Sequence, residues 1–144
     1  ASNWRNRDTV AKAIAMIESS GGKFKRNKTP GSTASGTYHV TDPTALGRQD
    51  KDLVKFGLKP AKSNSDEHKD EYAKNRMTAL LKYWAGETSG NYDQTFRLTA
   101  LSWHKGFPGT KKWAKAGKDW DKLKQSERDY VHKFLKSFRK AMKS

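Results

Sequence analysis

Apolar residues recur at helical spacing through most of this chain, and almost nowhere do they alternate as a half-buried strand requires. In the run DTVAKAIAMIE, Val10, Ala13, Ile14 and Ile17 share one face, which predicts a helix over 8–18 with Asp8 as N-cap. Asp42-Pro43 reads as an N-cap and first helical residue of a short helix reaching Leu46. Another short helix is expected over 52–56, stopped by Gly57. Residues 66–85 predict a longer one, with Ala73, Met77, Leu80, Leu81 and Trp84 on a single stripe. Beyond Gly86 and Gly90, a helix over 93–103 buries Phe96, Ala100 and Trp103. Gly106-Phe107-Pro108-Gly109 then breaks the chain before a short helix over 111–116. Ser126 to Asp129 fits a capping-box variant, opening a last helix striped by Val131, Phe134, Leu135, Phe138 and Met142. Only 36–40 could be a strand, and a short one. The expected fold is mostly α, with six or seven helices and little or no β, in one domain spanning 1–144. Residues 21–37, rich in Gly, Ser, Thr and Lys, make a loop long enough to be functional or disordered.

The first helix breaks at Glu18, which is followed by Ser19, Ser20 and a glycine pair. A carboxyl group there stands at the core edge and at the negative end of the helix dipole, and both raise its pKa. A carboxylic acid that keeps its proton towards neutral pH is what glycosidic cleavage needs. Taken alone, a helix-terminal Glu is more often a solvated surface residue.

Composition changes the picture in two ways. Only 33% of the 144 residues are hydrophobic, so the core is thin, and 16 aromatics must supply much of its area. Thirty Lys and Arg against 15 Asp and Glu give a net charge of +15, and 105–144 alone carry 13 basic and 4 acidic side chains. That field draws the chain to a polyanion: nucleic acid, an anionic wall or a membrane surface. There is no Cys, no apolar run long enough to span a bilayer and no signal-like apolar segment. A start at Ala1 suits a mature form and an excised domain equally.

Four spots gather polar residues with aromatics, and their order carries a resemblance. They are Glu18-Ser19-Ser20-Gly21, the stretch from Gly36 to Ala45 (GTYHVTDPTA), Thr99 to Gly106 (TALSWHKG) and Glu127-Arg128-Asp129-Tyr130-Val131. In this the chain resembles the soluble-type lytic transglycosylases, relatives of goose-type lysozyme that also occur in phage virion proteins. The likeness covers about 8–140, with His39 where the family has Gln and Trp103-His104 where it has Tyr-Asn. It implies a lysozyme-like fold that cleaves the β-1,4 bond between N-acetylmuramic acid and N-acetylglucosamine in peptidoglycan.

By that resemblance Glu18 is the acid/base, Tyr130 approaches and orients it, and Ser19 assists it. Gly36, Tyr38, His39, Trp103 and His104 line the sugar cleft. The nucleophile is the substrate's own muramoyl 6-hydroxyl, so one carboxyl group suffices and a 1,6-anhydro ring results. A water-using inverting hydrolase instead needs a second carboxylate about 6.5–9.5 Å away. Asp42 and Asp93 are the candidates, each better explained as a helix cap or helix start. On the residues alone, Tyr130 is a core aromatic and Ser19 a helix-end cap.

The four histidines, His39, His68, His104 and His132, have no metal-ligand spacing, so neither metal nor cofactor is expected. Trp84 and Trp113 are expected in the core. Expected partners are peptidoglycan strands and anionic wall polymers, met by a monomer in the periplasm or wall or carried in a phage virion. Two alternatives stay open: a goose-type lysozyme-like hydrolase, and a basic wall- or nucleic-acid-binding virion protein. For the latter, KKWAKAGKDWDKLK interleaves cations with aromatics, but no nucleic-acid-binding signature accompanies it.

Overall fold

A computed structural model of the chain describes residues 7–23 and 34–143. Much of the loop expected over 21–37 falls on 24–33, outside the described residues. Among the described residues six α-helices follow in order: α1 (Arg7–Ser19), α2 (Pro43–Gln49), α3 (Asp66–Glu87), α4 (Tyr92–Lys105), α5 (Phe107–Lys115) and α6 (Gln125–Met142). Two 3-10 turns, Lys51–Phe56 and Trp120–Lys122, complete the set. The fold is mostly α, as the periodicity predicts. Among the described residues the only β pairing is an isolated antiparallel bridge, Ser35 with Val40, so the 36–40 segment is a closed turn and not a strand. No helix among them is long and apolar enough to cross a membrane.

Caps explain where the helices begin. Asp42, Ser65 and Asn91 each accept a hydrogen bond from the backbone N–H two or three residues on, opening α2, α3 and α4. Asp8 already lies within α1 and so is not its N-cap, and two further starts differ from expectation. α5 starts at Phe107, because Gly106 closes α4 and opens α5 in one residue and Pro108 fits the first turn of a helix. α6 starts at Gln125, because Glu127 reaches back 2.8 Å to the Lys124 N–H; Ser126 and Asp129 do not form the box.

α1 packs on α6 and α3, α3 on α4, and α4 on α6 and α5. Their shared face buries Val10, Ile14, Leu53, Met77, Leu80, Leu81, Phe107 and Phe134. Each such side chain contributes about 1.5–3 kcal/mol of transfer free energy. Aromatics fill the gaps between helices, with Tyr83 edge-on to both Trp84 and Phe107 at 4.9 Å. The Trp84 indole N–H donates to Ser102 at 2.9 Å, so the polar end of that core residue is satisfied. Trp113 is only half-buried, and Met142 is 62% exposed, off the buried stripe of α6.

Candidate active site

Three left-handed residues, Ser20, Gly21 and Gly22, turn the chain away at the end of α1. Ser20 and Gly21 stand at φ 52° and 76°, and the second is a conformation glycine adopts without a Cβ penalty. Ser19, 2% exposed, hydrogen-bonds the carbonyl of Thr37 and accepts the Gly22 N–H at 2.9 Å. One hydroxyl therefore ties the helix end to the 35–40 turn. It works as a clamp behind Glu18 and makes no described contact with that carboxyl group.

The same turn is gripped from the other side by α3. Asp70 accepts the Thr37 N–H at 2.8 Å and the Thr37 hydroxyl at 2.7 Å, and Lys69 donates to Ser35 at 3.0 Å. Gly36 stands at φ 83°, and a Cβ there would meet an Asp70 oxygen at 2.6 Å. This corrects the expectation for Gly36. Gly36 is buried against Asp70, so it supports the turn and does not line a sugar cleft, whereas Tyr38, 6% exposed and packed on the core, also borders an open groove shared with residues of α1 and α6. His39 differs: it is half-exposed, stands at φ 48° and lies near enough to Glu18 for its charge to act on it.

Glu18 meets α6 here. The buried Tyr130 hydroxyl donates to Glu18 Oε2 at 2.8 Å, across 112 positions of sequence. Burial raises the Glu18 pKa above 4.5, while the Tyr130 hydrogen bond and the His39 charge pull it down by less. The Tyr130 hydroxyl is itself pushed well above its usual value, by burial and then by the Glu18 charge, so it stays a donor. Among the described residues, the groups that shift Glu18 are Tyr130 and His39, and neither is a carboxylate. Asp42 and Asp93 are occupied elsewhere: Asp42 accepts the Thr44 N–H at 3.0 Å and Asp93 pairs with Arg97 at 2.9 Å.

Residues of α4 and α3 back this pair. His104 stacks on the Tyr130 ring, 4.6 Å between centroids and 15° between planes. Its pKa is lowered, by burial above all and then by the nearby Lys133, against an opposing pull from Glu127. Trp103 is half-buried beneath the Arg76 guanidinium, which sits 4.8 Å from its ring centroid. Arg76 in turn pairs with the fully buried Asp50 at 2.6 Å.

Arg76, Asp50 and Asp70 are not marked as candidates by the sequence patterns. For Arg76 a signal exists, since it lies on the apolar stripe of Ala73, Met77 and Leu80, where an unpaired charge is too costly to bury. Asp70 carries no such mark. Glu127, from the fourth motif, is a structural residue: burial would raise it, but the Lys124 N–H and the Lys105 ammonium at 3.0 Å outweigh that and hold it low. No group of three His, Cys, Asp or Glu among the described residues could hold a metal ion. Comparison with protein-family models, curated proteins and solved structures finds no match to this chain.

Proposed function

We propose that this chain is a peptidoglycan-cleaving glycosidase acting by lytic transglycosylation, with Glu18 as its single acid/base. The observation that carries the reading is the Tyr130–Glu18 hydrogen bond on a carboxyl group whose burial raises its pKa. A phenol that donates to Oε2 leaves the carboxylic proton to Oε1, the oxygen free to face a ligand. Glu18 gives that proton to the glycosidic oxygen as the bond from C1 breaks. The carboxylate left behind is steadied by Tyr130, which cannot take the charge itself because its own proton is held so firmly. Glu18 then removes the proton of the muramoyl 6-hydroxyl as that oxygen bonds to C1. The acid is regenerated and no water is consumed.

Transglycosylation is preferred to inverting hydrolysis because Asp42 and Asp93, the carboxylates the sequence offers as a second catalytic group, are engaged in a helix cap and an ion pair with Arg97. The net charge of +15 favours retention on an anionic wall, in the periplasm or delivered with a virion. The test is digestion of purified peptidoglycan by wild type and Glu18→Gln, with mass spectrometry of the released fragments. Products ending in 1,6-anhydro-muramic acid are expected from wild type, and release about a thousandfold slower from the variant, the scale of a lost general acid. Products heavier by one water would replace transglycosylation with hydrolysis. Equal release by both proteins, or none by either, would overturn the role of Glu18.

A further inference from the structure

An open groove of about 640 Å³ lies along α2, the Lys51–Phe56 turn and α3. Its charged lining is Arg48, Lys51 and Lys59, with no Asp or Glu among the described lining residues. None of the three is ion-paired with a described carboxylate. The walls between them are apolar, formed chiefly by Pro43, Val54, Leu58 and Pro60. Tyr72 closes the groove from α3. It is 3% exposed, its hydroxyl lacks any hydrogen-bond partner, and that oxygen lies 3.8 Å from where a Cβ on Gly47 would stand.

An unpartnered buried hydroxyl costs free energy unless something reaches it. Burial, reinforced by Asp50 against Arg76, pushes its pKa up to about 12, so it keeps its proton and is available to donate. The far wall is rigidly built: Asn75 of α3 accepts the Lys59 N–H at 2.8 Å and donates to the Gly57 carbonyl at 2.9 Å. A phosphate polymer would satisfy the three cations but leave the apolar walls uncovered. A sugar would do neither well. A ligand with several carboxylates and small apolar side groups satisfies both.

We propose that this groove binds a short peptide bearing carboxylates and small apolar side chains, with one carboxylate accepting the Tyr72 hydroxyl. If the chain acts on peptidoglycan, the peptide branches of that polymer are the natural source, and this identification of the source rests on that reading. A free acidic peptide is the other source of the same chemistry. The groove is lined by residues distinct from those around Glu18, so the two claims fail separately.

The test uses the full chain and N-acetyl-Ala-Glu-Ala-Ala with a free C-terminus, followed by amide NMR shifts and calorimetry. Saturable binding is expected, with the largest shifts at Gly47, Arg48, Lys51 and Lys59, and at least fivefold weakening when Glu is replaced by Gln and the C-terminus is amidated. Tyr72→Phe is expected to weaken binding severalfold while raising Tm, because it removes an unpartnered hydroxyl. Gly47→Ala, which sets a methyl over that hydroxyl, should also weaken binding with the fold intact. Binding unchanged in both variants, shifts confined to the Glu18 side, or a lowered Tm in Tyr72→Phe would overturn the proposal. Sedimentation with intact wall sacculi separates the sources. Retention lost in Arg48→Ala/Lys51→Ala supports the wall peptide; retention unchanged, with free-peptide binding lost, overturns that source. A chain that binds the peptide without cleaving wall would refute the enzyme reading alone.

Discussion

Glu18 and Asp50 are both carboxyl groups withdrawn from solvent, and each is held by a side chain from a distant helix. Asp50 is fully buried and faces a guanidinium, Arg76, at 2.6 Å. Glu18 is half-buried and faces a phenol, Tyr130, at 2.8 Å. A cation cancels the charge that burial penalises, whereas a neutral donor only softens the penalty. Asp50 thus joins the start of the Lys51–Phe56 turn to α3 as half of a buried ion pair. Glu18 is left with an energetically awkward charge, so its proton is easily returned. The partner, more than the depth of burial, separates a carboxylate locked in an ion pair from one whose proton is held more tightly than usual.

The contrast can be broken most forcefully at Arg76. Arg76→Ala strands the Asp50 carboxylate in the core and is expected to cost about 3–5 kcal/mol in a urea denaturation. Adding Asp50→Leu to an Arg76→Met chain should recover most of that loss, since apolar residues of similar volume replace a buried pair with little penalty. If Arg76→Ala were nearly silent, the pair would not be structural. Gly36→Ala comes next, at roughly 2 kcal/mol. It combines a left-handed φ of 83° with a Cβ 2.6 Å from Asp70, which must let go of Thr37. Its thermal melt should shift down even though no core atom is removed.

Glu18→Gln is the smallest effect on stability, and its sign is opposite. The folded chain binds the Glu18 proton more tightly than the unfolded chain does, because burial raises its pKa above 4.5. Wild-type stability therefore falls as pH climbs from about that value through the raised folded one, and levels off beyond. Glu18→Gln removes this fall. It should raise stability at pH 7, by about 1 kcal/mol, with the gain shrinking towards zero as both states of the wild type become protonated. A variant less stable than wild type at pH 7 would make Glu18 a structural residue.

Much of this is legible along the chain, and the reasons differ by residue. The helices can be read from the spacing of Val10, Ile14 and Ala73, Met77, Leu80, because the buried face of a helix is a local property. Boundaries slip where one residue serves two helices, as at Gly106, or where a backbone donor and not a side chain is capped, as at Lys124. Glu18 stands out because the helix breaks right after it. Its meeting with Tyr130 spans 112 positions, and no local pattern encodes that. Gly36 misleads because a glycine beside an aromatic suits a buried turn as well as an open cleft. Asp70, which holds that turn, differs in nothing visible from any exposed helical Asp.

The central claim is that Glu18 carries a raised pKa restrained by Tyr130, and it can be measured at the carboxyl carbon itself. With side-chain carboxyl carbons labelled, an NMR titration of wild type and Tyr130→Phe follows Glu18 directly. The expected wild-type midpoint lies above 4.5, with a higher one in Tyr130→Phe, since that hydrogen bond favours the charged form. A midpoint at or below 4.5 in wild type, or one that Tyr130→Phe leaves unmoved, would contradict it.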